Sequence, residues 1–327
     1  MLGTRRGKRD EGGQVSGSPI LTWSNHAAAV GHALALGGIS WVFSEGFFWA
    51  HWRASNTFAD AILTWSAYCI VSYIVFSAVR WFDVHSFPRV FLAGAVFGWL
   101  VEGGVAATIY VGFPFQVVWT SLAWHAPVTI CSGWFLLPRA LRGRSVWDAV
   151  CLCAVTGLGV GFWASGYVHD PEVGRPPSPG AFGLYVSALA IALAVAYLMR
   201  ERLAERASGP PDRRAFAVTV GALSLWFISL VVVAVPWAPV VLAGLLAMPL
   251  LALLRGRHSE PVARSLQPSR EKMRPGRVVA LMALPPPAIA TYLVLEPVSG
   301  QFPLYAVYAV SVLGGLGAFV WALWREW

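Results

Sequence analysis

A chain of 327 residues that is 57% hydrophobic and only 12% charged cannot clothe a soluble domain, where about 25% of residues are charged. The net charge of +8 raises the question of nucleic acid, but its distribution follows membrane topology, and no nucleic acid is expected as a partner. Phosphate loops, nucleophile elbows and nucleic-acid modules are not found in the sequence. What remains is an all-α polytopic transmembrane bundle.

The chain opens "MLGTRRGKRDEGG" and continues with Gly, Ser and polar residues. Residues 1–26 therefore read as a cytoplasmic N-terminal tail rather than a cleaved signal peptide. Apolar runs of roughly 20 residues follow, the length that crosses about 30 Å of hydrocarbon. About ten helices are expected, near 27–50, 58–79, 90–111, 116–137, 146–168, 181–199, 215–235, 238–254, 278–295 and 303–324. The breaks between them carry turn chemistry in "GFPF", "HDPEVGRPPSPG", "ASGPPDRR", "PWAP" and "EPVSGQFP". The "PWAP" break also allows one kinked helix with a re-entrant piece.

Basic residues test this count. With the N-terminus inside, the cytoplasmic regions hold Arg5, Arg6, Lys8 and Arg9, then Arg80 and Arg89, then Arg139, Arg142 and Arg144. Five more lie between 200 and 214, seven between 255 and 277, and Arg325 closes the set, which makes 22 of 24. Only Arg53 and Arg175 fall outside. So strong a bias places both termini in the cytoplasm and the protein in the cell membrane, with the lipid bilayer as its first partner. The polar stretches 200–214 and 255–277 read as solvated loops near anionic lipid.

The expected organisation is two unlike halves. Residues 27–168 form a five-helix half that carries every mid-membrane charge, residues 169–180 an extracytoplasmic loop, and residues 181–327 an apolar five-helix half. Twelve of the seventeen Trp precede residue 169. Cys69, Cys131, Cys151 and Cys153 all fall in apolar segments and read as small hydrophobes, with no disulfide framework.

Two residues contradict their surroundings. "GWLVEGGVAATIY" sets Glu102 in a small and apolar run, and "WTSLAWHAPVTI" does the same with His125. An ionised group at the bilayer centre costs about 2.5–3.5 kcal/mol on insertion scales, so such residues are usually functional or paired. Glu102 lies nine residues before the outer end of its segment, about 14 Å deep, and His125 lies nine residues after the next segment enters. The short "GFPF" turn makes these helices antiparallel neighbours, so the two residues are expected to meet.

Gly94, Gly98, Glu102, Ala106 and Tyr110 recur every four residues and suit close helix approach. Ser121, His125, Thr129 and Ser132 form a polar stripe on the next helix, where Pro127 frees the carbonyl of Ala123. Asp60, Thr64, Tyr68 and Ser72 form a third stripe, and Glu45 sits about 8 Å inside the outer end of the first segment. Glu102, His125 and Glu45 are the candidate catalytic residues. Tyr110, Ser121, Thr129 and Asp60, with Trp99, Trp119 and Trp124, are candidates for binding a lipophilic or small-molecule substrate.

Three function classes fit this constellation. A membrane-embedded, hydrolase-like enzyme would use Glu102 and His125 for acid/base chemistry. It could also hold a divalent metal such as zinc on Glu45, Glu102 and His125, although no HExxH pair is present. A proton-coupled transporter would use a carboxylate as proton carrier. In length, ten helices and inward termini the chain resembles drug/metabolite exporters, a similarity of architecture with no shared motif. The third class is a non-catalytic assembly or lipid-binding protein, in which the Glu102–His125 pair only holds helices together. His32 and His125 lie at different depths, which does not suit bis-His haem ligation.

Overall fold

A computed structural model describes residues 19–53, 55–167, 176–204, 211–256, 272–301 and 304–327. Most of the tail 1–26, part of the expected loop 169–180, part of the loop 200–214 and most of the loop 255–277 lie outside the described residues. Within them the secondary structure is helical throughout. Eight helices are long and apolar enough to cross a membrane, so the chain is a multi-pass helical protein of membrane character. Residues 87–111 and 115–142, which carry the Glu102–His125 pair, are helical but interrupted and are not among those eight.

Helix α1 (Pro19–Trp41) runs on through a π-helical turn (Val42–Gly46) and a short α turn that ends at Trp49. It stops at Ala50, whose φ of 62° is left-handed. Helix α2 (Phe58–Trp81) starts at a capping box. The Thr57 hydroxyl accepts from the Asp60 amide at 3.1 Å, and the Asp60 carboxylate accepts from the Thr57 amide at 3.0 Å.

Helix α3 (Phe87–Trp99) also passes into a π turn (Leu100–Val105) and then breaks, with Ala107 at φ 62° before the short helix Thr108–Val111. Helix α4 is the π-helical stretch Trp119–Leu136, extended to Arg142 by an α turn. Pro127 inside it has no N–H to give the ladder. The carbonyl of Pro127 itself accepts from the Ser132 hydroxyl, five residues on, at 3.0 Å.

Beyond these come α5 (Val146–Tyr167), α6 (Pro179–Ala204) and α7 (Arg213–Trp226, with a π turn to Val232). Helix α8 is Ala238–Arg255. A separate turn at 233–237 divides α7 from α8, so the "PWAP" break is a true end rather than a kink. Helix α9 (Pro285–Leu295) follows a 3-10 stretch from Pro275 to Ala283, and α10 is Leu304–Glu326.

Small residues set the packing of the site helices. A Cβ on Gly94 would lie 2.7 Å from the Ala126 Cα, and one on Gly98 2.7 Å from the Ser121 Cα. Helices α3 and α4 therefore meet backbone to backbone, as small residues permit in lipid. Gly157 and Gly161 similarly seat α5 on the carbonyls of Leu284 and Ala288 at the start of α9. Gly315 brings α10 onto Leu122 of α4. The buried Arg89 ties the far end of α3 to the end of α10 by an ion pair with Glu326 at 2.7 Å. The two halves of the chain thus pack into one another rather than standing side by side.

Candidate functional site

Four polar side chains of one cavity sit where a helix widens. Ser44 and Glu45 lie on the π turn of α1, Glu102 on that of α3, and His125 on the π-helical α4. Such insertions shift the phase of side chains around the axis and recur at functional sites. They turn all four residues to one cavity of about 600 Å3. Its walls include Phe48, Trp49, Trp119, Trp124, Tyr167 and Tyr308, and Arg53, Phe115 and Gln116 place its rim at the end of the bundle that carries the 50–57 and 112–115 turns.

A chain of hydrogen bonds crosses the base of this cavity. His125 Nε2 and Glu102 Oε1 are 2.7 Å apart, with both residues buried. The other carboxylate oxygen of Glu102 accepts from the Thr108 hydroxyl. On the far side of the ring, His125 Nδ1 meets the Ser44 hydroxyl at 3.0 Å, and Ser44 meets the Thr129 hydroxyl at 2.9 Å. One assignment satisfies the chain end to end: with Glu102 ionised and the imidazole neutral, Nε2–H donates to the carboxylate, Nδ1 accepts from Ser44, and Ser44 accepts from Thr129.

Glu45 lines the same cavity but has its own partners. Its two oxygens accept from Tyr68 Oη and from Trp49 Nε1, each at 2.8 Å. It makes no bond to Glu102 or His125. Among the described residues no three His, Cys, Asp or Glu side chains gather as a metal site would need. The expectation of zinc on Glu45, Glu102 and His125 is therefore not met by their geometry.

The remaining sequence candidates divide. Trp119 and Trp124 line the cavity, with Trp124 fixed by donation to the Phe43 carbonyl at 3.0 Å. Thr129 stands behind Ser44. Trp99 is buried outside the cavity, where it donates to the Val117 carbonyl at 2.9 Å and packs on Phe319. Tyr110 also lies outside, against Trp237, with its hydroxyl near the Ala238 carbonyl. The break at Ala106–Ala107 ends the four-residue stripe before Tyr110. Ser121 is buried against Gly98 with its hydroxyl unpaired, and Asp60 is an exposed capping residue.

The sequence did not single out Ser44, Thr108 or Gln116, and it marked Arg53 only as a basic residue on the outer side. The only local sign of Ser44 is its position beside Glu45 in "SEG". Comparison of the chain with models of known protein families, with curated proteins and with solved structures finds no match.

Proposed function

We propose that this chain is a membrane-embedded hydrolase whose nucleophile is Ser44, acting on a lipophilic ester or amide. The single observation that carries the reading is the buried Ser44–His125–Glu102 chain at 3.0 and 2.7 Å on the wall of an aromatic cavity. Nucleophile, base and orienting carboxylate in this order are the parts that hydroxyl activation needs. The ring nitrogens are exchanged relative to the serine protease template, which leaves the proton path intact.

In the proposed reaction Ser44 Oγ bonds to the substrate carbonyl carbon while its proton passes to His125 Nδ1. Glu102 stabilises the resulting imidazolium through Nε2–H. The carbonyl–heteroatom bond then breaks, and the leaving group takes the Nδ1 proton. Water repeats the sequence on the acyl-Ser44 ester, which returns the free hydroxyl and releases the acid. Thr129 and Thr108 hold Ser44 and Glu102 in place. No step calls on Glu45.

A fluorophosphonate probe, which reacts with activated serine hydroxyls, tests this on the protein in nanodiscs. Peptide mass spectrometry is expected to find the adduct on Ser44 and to lose it in His125→Ala with the thermal melt retained. An unmodified wild-type protein, or an adduct indifferent to His125, would sink the reading. One observation favours a proton-coupled transporter instead: Glu45 and Glu102 share the cavity, and Glu45 is bonded only by neutral donors. Ser44→Ala separates the two, because it removes hydrolysis and leaves transport.

The same proposal includes ten crossings in the cell membrane, with both termini cytoplasmic and the cavity opening outward. Its support is the 22-to-2 distribution of basic residues. In a background without native cysteines, an impermeant maleimide should label Ser55→Cys on intact cells and Ser145→Cys only after permeabilisation. The reverse pattern would invert the cavity and overturn the assignment.

A further inference from the structure

Arg53 stands on the wrong side for its charge. It is one of only two basic residues that the charge pattern leaves outside, and it comes directly after α1 at the rim of the cavity. Its guanidinium lies 3.5 Å from the centroid of the Trp49 ring. Stacking occupies the face of a guanidinium and leaves its five in-plane donors available. Among the described residues none of the acids is close enough to form an ion pair with it. Glu45 is held by Tyr68 and Trp49, and Glu102 by His125 and Thr108. The Arg53 Nε is buried and has no hydrogen-bond partner.

Gln116 shows the same feature, since its Oε1 is buried, unpartnered and on the same cavity wall. Buried polar atoms in native proteins are paired far more often than not, and an unpaired one calls for an explanation. Two of them at the rim of one cavity share an explanation if a ligand completes them. Arg53 supplies a fixed fork for a carboxylate or phosphate, and Gln116 offers an acceptor for a hydroxyl. Deeper in, the walls are Phe48, Trp119, Trp124 and Tyr308, which suit a hydrocarbon chain, and the lining holds no second arginine or lysine.

We infer that the cavity binds an anionic amphiphile with its carboxylate or phosphate on Arg53 and its apolar chain against the aromatic wall. The rim anchors the head group, and the chain extends toward Ser44 and His125. The inference rests on the proposed cavity as a substrate site but not on its hydrolytic step. A hydrolase with this mouth would act on acyl lipids that carry a negative head group or a free carboxylate. Because the head is held away from the reacting bond, the product acid would compete for the same place.

The test is equilibrium binding to the full chain in dodecyl maltoside, with dodecyl phosphate, dodecanoate, dodecanol, dodecyltrimethylammonium and inorganic phosphate as probes. Dodecyl phosphate and dodecanoate should bind at least tenfold more tightly than dodecanol and dodecyltrimethylammonium. Arg53→Gln should lose at least tenfold on the two anions and less than twofold on dodecanol, which also reports that the cavity is intact. Arg53→Lys should recover part of the loss, since it keeps the charge but not the fork. None of the probes carries an ester or amide for Ser44 to attack, so this result does not depend on catalysis. Equal affinities across the dodecyl probes, or anion binding indifferent to Arg53→Gln, would overturn the inference. Inorganic phosphate binding as tightly as dodecyl phosphate, with the same Arg53 dependence, would overturn the amphiphile and assign a soluble anion. Fluorophosphonate labelling of Ser44 without any Arg53 effect would leave the hydrolase standing and remove this inference alone.

Discussion

The described parts of residues 27–167 and of residues 179–326 are both largely apolar and helical, yet they treat their interiors differently. In the first region the span Ala27–Trp49 is 56% buried, and its π turn, with those of α3 and α4, carries the polar residues of the cavity. In the second, the span Arg213–Val232 is only 6% buried and Ala306–Glu326 only 17%. Leu225, Val240, Val310 and Leu313 there are all strongly exposed. The contrast lies in what the widened turns carry: those of the first region hold Ser44, Glu45, Glu102 and His125 on the cavity, whereas the π turn Phe227–Val232 of the second holds no ionisable residue and is largely exposed. The second region lends the cavity just Trp226 and Tyr308.

The largest expected difference between the regions is steric. Gly98→Val sets a branched side chain against the Ser121 backbone, 2.7 Å from a Cβ. It is expected to cost the upper part of about 1–3 kcal/mol, or more, because backbone cannot step aside as a flexible side chain does. Gly314→Val, with nothing within 4 Å of its Cβ, should stay within about 0.5 kcal/mol. Thermal melts of the two variants in the same nanodisc check this. Equal melts would mean that α3 and α4 are not packed as closely as α10 is free.

A smaller effect sharpens the comparison inside the first region. Asp60→Ala removes one side of the Thr57 capping box and is expected to cost about 0.5–1 kcal/mol of stability. Its fluorophosphonate labelling rate should stay within twofold of wild type, because Asp60 is an exposed cap and not a wall of the cavity. A tenfold slower rate would return Asp60 to the site.

Much of this organisation was legible in the sequence, and the exceptions have identifiable causes. The meeting of Glu102 and His125 followed from a short turn and equal depth, since antiparallel neighbours leave little choice of register. Ser44 was hidden because its bond to His125 spans 81 positions. Which face of α1 meets α4 depends on packing that no local pattern encodes. Tyr110 and Ser121 lie off the cavity for a different reason. Counting every fourth residue assumes an unbroken α-helix. The left-handed Ala107 ends that count on α3, and the π geometry of α4 changes its phase. Asp60 was read as part of a polar stripe, although Thr-x-x-Asp at the start of an apolar run is also a cap signature.

In the proposed reaction Glu102 orients His125 and stabilises the imidazolium that forms, so that His125 can activate Ser44. Glu102→Gln keeps the size and a hydrogen-bonding end but removes the carboxylate. The measurement is the second-order rate of fluorophosphonate modification at Ser44, compared between this variant and the wild type at matched thermal stability. A rate at least about 100-fold lower is expected in Glu102→Gln, within the range that acid–base assistance supplies. A rate equal to wild type in a folded Glu102→Gln protein would contradict it and leave the pair a structural clasp between α3 and α4.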